Sequence, residues 1–109
     1  MRFVKAAQTS EFENENRKLI KIDGREILLI KIQDTYYAID NRCTHMGGSL
    51  FDGNLEGSNI VCPRHGSEYD IRTGEVVKRG RLFGINVKVR DLNKYEVRTE
   101  GNDILIGLE

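Results

Sequence analysis

Both cysteines and both histidines of this chain fall in two short runs, Cys43-Thr44-His45 and Cys62-Pro63-Arg64-His65, with sixteen residues between them. Thiolate and imidazole are the soft and borderline donors that bind transition metals, and four of them complete one coordination set. No Cys or His is left elsewhere in the 109 residues. The chain must fold so that two separate loops meet, and a centre bound between them would close a long loop of a small domain. A disulfide joining the two cysteines would leave both histidines unexplained.

The rest of the composition narrows the setting. Lys and Arg number 17, as do Asp and Glu, so no net field favours a nucleic acid or an acidic membrane surface. The N-terminus, Met1-Arg2-Phe3-Val4-Lys5, has no apolar signal core, and no run approaches the length of a membrane span. Reduced cysteines used as ligands fit a reducing compartment, so the expected location is cytoplasmic.

The hydrophobic period is two rather than 3.6. Arg17 to Ile22 and Arg25 to Ile32 read as strands joined by Asp23-Gly24, a two-residue hairpin signal. Consecutive Ile27, Leu28, Leu29 and Ile30 predict a strand buried on both faces. Tyr36 to Ile39 is a third strand candidate leading into the first ligand run. After the second run come Ser67 to Ile71, a turn at Thr73-Gly74, and Glu75 to Lys78. Ile85 to Val89 and Tyr95 to Arg98 alternate, and Asp103 to Leu108 closes the chain. Short strands between Gly, Asp and Asn turns predict an all-β antiparallel sandwich or barrel. One helical turn is expected near Thr9 to Asn14, capped by Thr9 or Ser10.

Two Cys and two His are also a common zinc set. A zinc finger, however, pairs Cys with Cys and His with His, and sets a helix beneath the second pair. Here each run supplies one of each, and a strand follows. Alternating Cys/His loops suit a two-iron centre better, each loop giving its Cys to one iron and its His to the other. Gly47 and Gly48 follow the first pair and Gly66 the second. Glycines there let backbone N–H groups approach a bound anion, whereas Gly53, Gly57 and Gly101 read as ordinary loop glycines.

Cys43-Thr44-His45-Met46-Gly47-Gly48 and Cys62-Pro63-Arg64-His65-Gly66-Ser67 resemble the C-x-H and C-x2-H boxes of Rieske proteins. The likeness extends over the flanks, from about Tyr36 to Gly74. It implies one Rieske 2Fe–2S cluster, with Cys43 and Cys62 on one iron and His45 and His65 on the other through Nδ1. Two neutral imidazoles in place of two thiolates make reduction less costly. They raise the potential from about −400 mV for all-Cys plant-type clusters to roughly −150 to +300 mV. The resemblance also implies a single Rieske domain, with a base over residues 1–40 and 81–109 and a small cluster-binding lobe, 41–80, made of the two ligand loops.

Gly48 and Arg64 stand where high-potential members carry a second cysteine pair, so no disulfide staple joins the loops. Ser67 and Tyr69 match the hydroxyls that, in the high-potential group, donate to a bridging sulfide and a ligand sulfur. The expected potential therefore lies above the oxygenase-type ferredoxins and below the cytochrome bc type. Arg42, Arg64, Lys78, Arg79 and Arg81 read as ordinary solvated surface rather than a docking rim, because Asp52, Glu56, Glu68 and Asp70 share the segment.

The resemblance implies a soluble one-electron carrier, a Rieske-type ferredoxin between a reductase donor and an acceptor such as an oxygenase, working without nucleic acid or membrane and as a monomer. No spare histidines remain for the mononuclear iron of an oxygenase domain, which argues for an electron-transfer component rather than a catalytic one. The alternatives are a module resembling the small subunit of nitrite reductase, or a structural zinc module.

Overall fold

In the computed structural model, residues 1–44, 47–82 and 84–109 are described. The chain opens with a strand that periodicity does not reveal, β1 (Arg2–Gln8). A 3-10 turn at Thr9–Phe12 replaces the longer helical turn expected there. Neither Thr9 nor Ser10 caps it. The Glu11 carboxylate accepts the Gln8 N–H at 2.6 Å, and the buried Phe12 ring packs edge-on against Tyr36 at 5.1 Å.

Strands β2 (Arg17–Ile22) and β3 (Arg25–Ile32) fall where the alternation places them. Asp23 and Gly24 both take positive φ, 51° and 75°, the turn whose twist matches an antiparallel hairpin. Then come β4 (Thr35–Asp40), a 3-10 turn at Leu50–Asp52, β5 (Asn54–Glu56), β6 (Asn59–Val61), β7 (Glu68–Asp70) and β8 (Val76–Lys78). The chain ends with β9 (Arg81–Leu82), β10 (Ile85–Asn86), β11 (Lys94–Tyr95), β12 (Val97–Glu100) and β13 (Asp103–Leu108).

All pairings are antiparallel: β1-β13-β12, β11-β4-β3-β2, β5-β6-β7-β8, and the β9-β10 hairpin. The chain is thus all-β, as its alternation predicts. Two expected strands differ in detail. The ladder stops after Asn86 because the backbone beyond it serves the ligand loops: Val87 N–H donates to Gly80 O at 2.9 Å, and Arg90 N–H to Thr44 Oγ1 at 2.9 Å. Tyr95 to Arg98 divides at Glu96, since Tyr95 pairs with Ala38 in one sheet and Val97 with Ile106 in another.

β3 links the two cores. Ile27 and Leu29 pack with Ile104, Ile106 and Leu108, while Leu28 and Ile30 pack with Cys43, Leu50, Cys62 and Tyr69. Burying such a side chain stabilises by roughly 1.5–3 kcal/mol, so the strand that holds the base together also supports the ligand loops. Among the described residues no helix is long and apolar enough to cross a membrane.

Candidate metal centre

The two ligand loops have the same backbone construction, offset by nineteen positions in sequence. In the first, Cys43 N–H donates to Gly48 O at 2.8 Å and Gly47 N–H to Cys43 O at 2.9 Å. In the second, Cys62 N–H donates to Ser67 O at 2.7 Å and Gly66 N–H to Cys62 O at 3.2 Å. Antiparallel bridges close both necks, Arg42 with Ser49 and Val61 with Glu68. Gly47 and Gly66 occupy equivalent positions at φ 70° and 81°, a region that a Cβ disfavours. Their N–H groups are used inside the loops. The Arg64 and His65 N–H groups donate to the Cys62 sulfur.

Gly48 has a different function, because a Cβ there would lie 2.9 Å from Cys62 Sγ and 3.1 Å from Arg64 Cγ. The first loop can therefore close over the second sulfur only with glycine at this position. Cys43 and Cys62 are both buried and not joined in a disulfide, with their side chains in hydrogen-bond contact. Burial pushes the Cys62 thiol up, the Arg64 and His65 N–H groups pull it down, and Cys43 pushes it up again. Two unbridged sulfurs held this close in an apolar setting are suited to share one thiophilic metal.

Two hydroxyls complete the site. Tyr69, fully buried on β7, sets its Oη 3.2 Å from Cys43 Sγ and accepts the Thr44 N–H at 3.3 Å. Its phenol is pushed up to about 12, first by burial and then by Cys43. Ser67, 1% exposed, accepts the Gly80 N–H at 3.0 Å. Among the described residues its own proton has no acceptor, so a buried donor remains for an anionic group between the loops. The sulfur pair, the space left by Gly48 and this spare donor all fit an inorganic iron–sulfide centre.

Cys43, Cys62 and Tyr69 share one buried cluster and Gly48 packs against Cys62 Sγ, while Gly47, Gly66 and Ser67 belong to the backbone of the two loops and His65 is half-buried on the second. His45 lies outside the described residues, as do Met46 and Phe83. Among the described residues no three Cys, His, Asp or Glu side chains converge on a single ion.

Sequence reasoning missed three supporting residues. Asn41, fully buried, accepts the Phe51 N–H at 2.8 Å and donates to Ser49 Oγ at 3.0 Å, holding the first loop's neck. Gly80 presses against the second loop, and a Cβ there would overlap the His65 carbonyl oxygen. Arg17 reaches from β2 to Phe51 O at 3.2 Å and Gly53 O at 2.8 Å. Gly53 itself is more than a loop glycine, since a Cβ would strike Val61 O. The side-chain partners of these residues are distant in sequence. The one local signal was the Arg-Gly-Arg break at Gly80.

Comparison with known proteins agrees with this geometry. The family model described as the Rieske [2Fe-2S] domain matches residues 2–96. The chain is 32% identical over 90 residues to the ferredoxin component of the naphthalene 1,2-dioxygenase/salicylate 5-hydroxylase systems of a Ralstonia species, covering 83% of this chain and 80% of that one. It is 27% identical over 108 residues to the ferredoxin component of the naphthalene 1,2-dioxygenase system of Pseudomonas putida, covering 99% and 97%. The ferredoxin of carbazole 1,9a-dioxygenase from Nocardioides aromaticivorans superposes over the full length of both chains, with a TM-score of 0.82 at 27% identity.

Proposed function

The chain belongs to the Rieske [2Fe-2S] domain family, and on that premise we propose that it carries single electrons from a reductase to an oxygenase. The observation that carries this reading is the matched pair of loops that sets Cys43 and Cys62 side by side with Tyr69 Oη on a ligand sulfur. When bound, the 2Fe–2S cluster supplies reversible one-electron exchange. Cys43 and Cys62 would hold one iron, and His45 and His65 the other.

The protein residues then work on charge. A metal-bound thiolate has no proton, so Tyr69 donates to Cys43 Sγ while accepting from Thr44 N–H. Ser67 would direct its spare proton to the cluster. The Arg64 and His65 N–H groups donate to Cys62. All of these donors are fixed before the electron arrives, so little reorganises on reduction. Leu50, Ile60 and Leu92 keep water from the sulfur side, while His65, only half-buried, would be the ligand nearer to a partner. The base of residues 1–40 and 81–109 and the cluster-binding lobe 41–80 belong to the same proposal, supported by the two separate cores that meet at β3. A cytoplasmic location and a monomeric state are likewise proposed.

The relatives' names supply the test. Holo-protein is mixed anaerobically with NADH and the reductase component of a naphthalene dioxygenase system, and then with its oxygenase. The expected result is uptake and release of one electron per chain on the turnover timescale. A cluster that neither component reduces or reoxidises would overturn the carrier role.

A further inference from the structure

The segment that follows the second ligand loop is far from neutral, although the chain as a whole is. From Lys78 to Arg90 the sequence has five cations and no carboxylate, within a chain of 17 cations and 17 anions. Lys78, Arg79, Arg81, Lys88 and Arg90 are all exposed, and so is Arg64 between the second Cys and His. Among the described residues none of the six forms an ion pair. The carboxylates that sequence reading set against them are engaged or distant. Asp70 pairs with Arg72 at 3.2 Å, Glu68 accepts from Asn59 at 2.7 Å, Asp52 faces Arg17, and Glu56 lies on β5 at the opposite edge of the sheet from β8. Arg42 is not part of this set, since Glu26 holds it at 3.0 Å.

The same segment carries an apolar pair. Leu82 and Ile85 are cross-strand partners at the end of the β9–β10 hairpin, 37% and 71% exposed. The hairpin is bonded to the second ligand loop: Arg81 N–H donates to His65 O at 2.9 Å, and Gly80 N–H to Ser67 Oγ at 3.0 Å. A partner seated on Leu82 and Ile85 would therefore lie beside the loop that carries His65. Scattered exposed aliphatics need no explanation. A cross-strand apolar pair in a segment of exposed cations, one residue from the strand position bonded to His65, is a patterned surface.

We propose that the β9–β10 hairpin and the exposed cations of its segment form the docking surface for an acidic redox-partner protein whose carboxylates flank an apolar recess. The proposal rests on the carrier reading above and names the partner's chemistry. The unpaired cations steer encounter through long-range attraction, and the apolar pair holds the complex once water is expelled. One electron leaves the partner's reduced centre and enters the cluster, with no atom transferred.

The test uses flavodoxin hydroquinone, an acidic one-electron donor that becomes the semiquinone, and photoreduced deazariboflavin, a small neutral donor. With wild-type holo-protein the second-order rate from flavodoxin should fall about tenfold or more as ionic strength rises from roughly 0.01 to 0.15 M. The rate from deazariboflavin should not change. The Arg79→Glu/Arg81→Glu variant should lose about tenfold at low salt. Ile85→Ser should lose roughly threefold even at high salt, where only apolar contact remains. Arg98→Glu, on the sheet that carries neither ligand loop, should match wild type. Flavodoxin rates that ignore salt, or that fall equally in Arg98→Glu, would overturn the proposal. So would hairpin variants that lose binding to phosphatidylserine vesicles or polyuridine RNA yet keep the flavodoxin rate. An intact cluster spectrum with these failures sinks the surface alone, whereas a wild-type protein with no cluster spectrum sinks the carrier reading and the surface with it.

Discussion

Removing the Tyr69 hydroxyl isolates one term in the tuning of this centre. Tyr69 Oη lies 3.2 Å from Cys43 Sγ, and the ring is fully buried, so solvent cannot replace the donor in Tyr69→Phe. A hydrogen bond to a charged acceptor contributes about 1.5–3 kcal/mol. Only the part that strengthens when the ligand sulfur gains electron density moves the potential. Taking that part as about half gives roughly 0.75–1.5 kcal/mol. For a one-electron couple a tenfold change in equilibrium is 59 mV, so the midpoint should fall by about 30–65 mV. The sign follows from the donor favouring the reduced state. Phe also leaves the Thr44 N–H without its 3.3 Å acceptor, which adds a stability cost of about 1 kcal/mol and is read separately by thermal unfolding. The assay is a spectroscopic redox titration of both proteins near neutral pH, with the reduced spectrum checked for an intact cluster. A midpoint unchanged within about 15 mV, or one that rises, would refute the reasoning, because the expected fall is at least about twice as large.

Other expectations follow from neighbouring residues. Ser67→Ala should lower the midpoint as well, and should also destabilise by about 1 kcal/mol because the Gly80 N–H loses its 3.0 Å acceptor; titration and unfolding on one sample check both. Gly80→Ala must push the hairpin away from the His65 carbonyl, so it should lower the unfolding temperature and iron content together, whereas Gly101→Ala, with open space around it, should retain full iron. Burial, and then the hydrogen bond to Asp40 at 2.6 Å, push the Tyr95 phenol up to about 12. The folded state thus holds that proton more tightly than the unfolded chain. The resulting stability is complete below the ordinary phenol range near 10 and is lost as pH rises towards 12. Denaturant titrations of wild type and Tyr95→Phe across that window should converge as pH rises, and a constant gap would contradict it.

How much was legible beforehand depended on whether the signal was local. The β2–β3 hairpin could be read because Asp23-Gly24 sets its own turn geometry and the flanking alternation needs no partner. Asp103 to Leu108 was visible for the same reason. β1, β5 and β6 were not, since short strands with mixed burial acquire their identity from the ladders they join. Within the site, the cysteines and glycines were visible as a spaced motif. The equivalence of the two loops was not, because it lies in backbone hydrogen bonds from i to i+5 and from i+4 to i. The glycines themselves had to be divided. Gly47 and Gly66 serve positive φ, while Gly48 serves the close approach of a sulfur, and sequence spacing alone gives them one common reading. The cations likewise looked neutralised along the chain. Pairing in space, which leaves Arg64 and the five cations from Lys78 to Arg90 without ion pairs among the described residues, sorts them differently.

The central claim is that Cys43 and Cys62 share one iron while His45 and His65 share the other. Pulsed electron paramagnetic resonance of the reduced protein, grown with isotopically labelled histidine nitrogens, tests it most directly. The account predicts a 2Fe–2S signal of low average g value with two histidine nitrogens coupled to it, and one coupling lost in any variant of His45 or His65 that still binds iron. A signal without histidine coupling, or a colourless protein holding one zinc per chain, would contradict it.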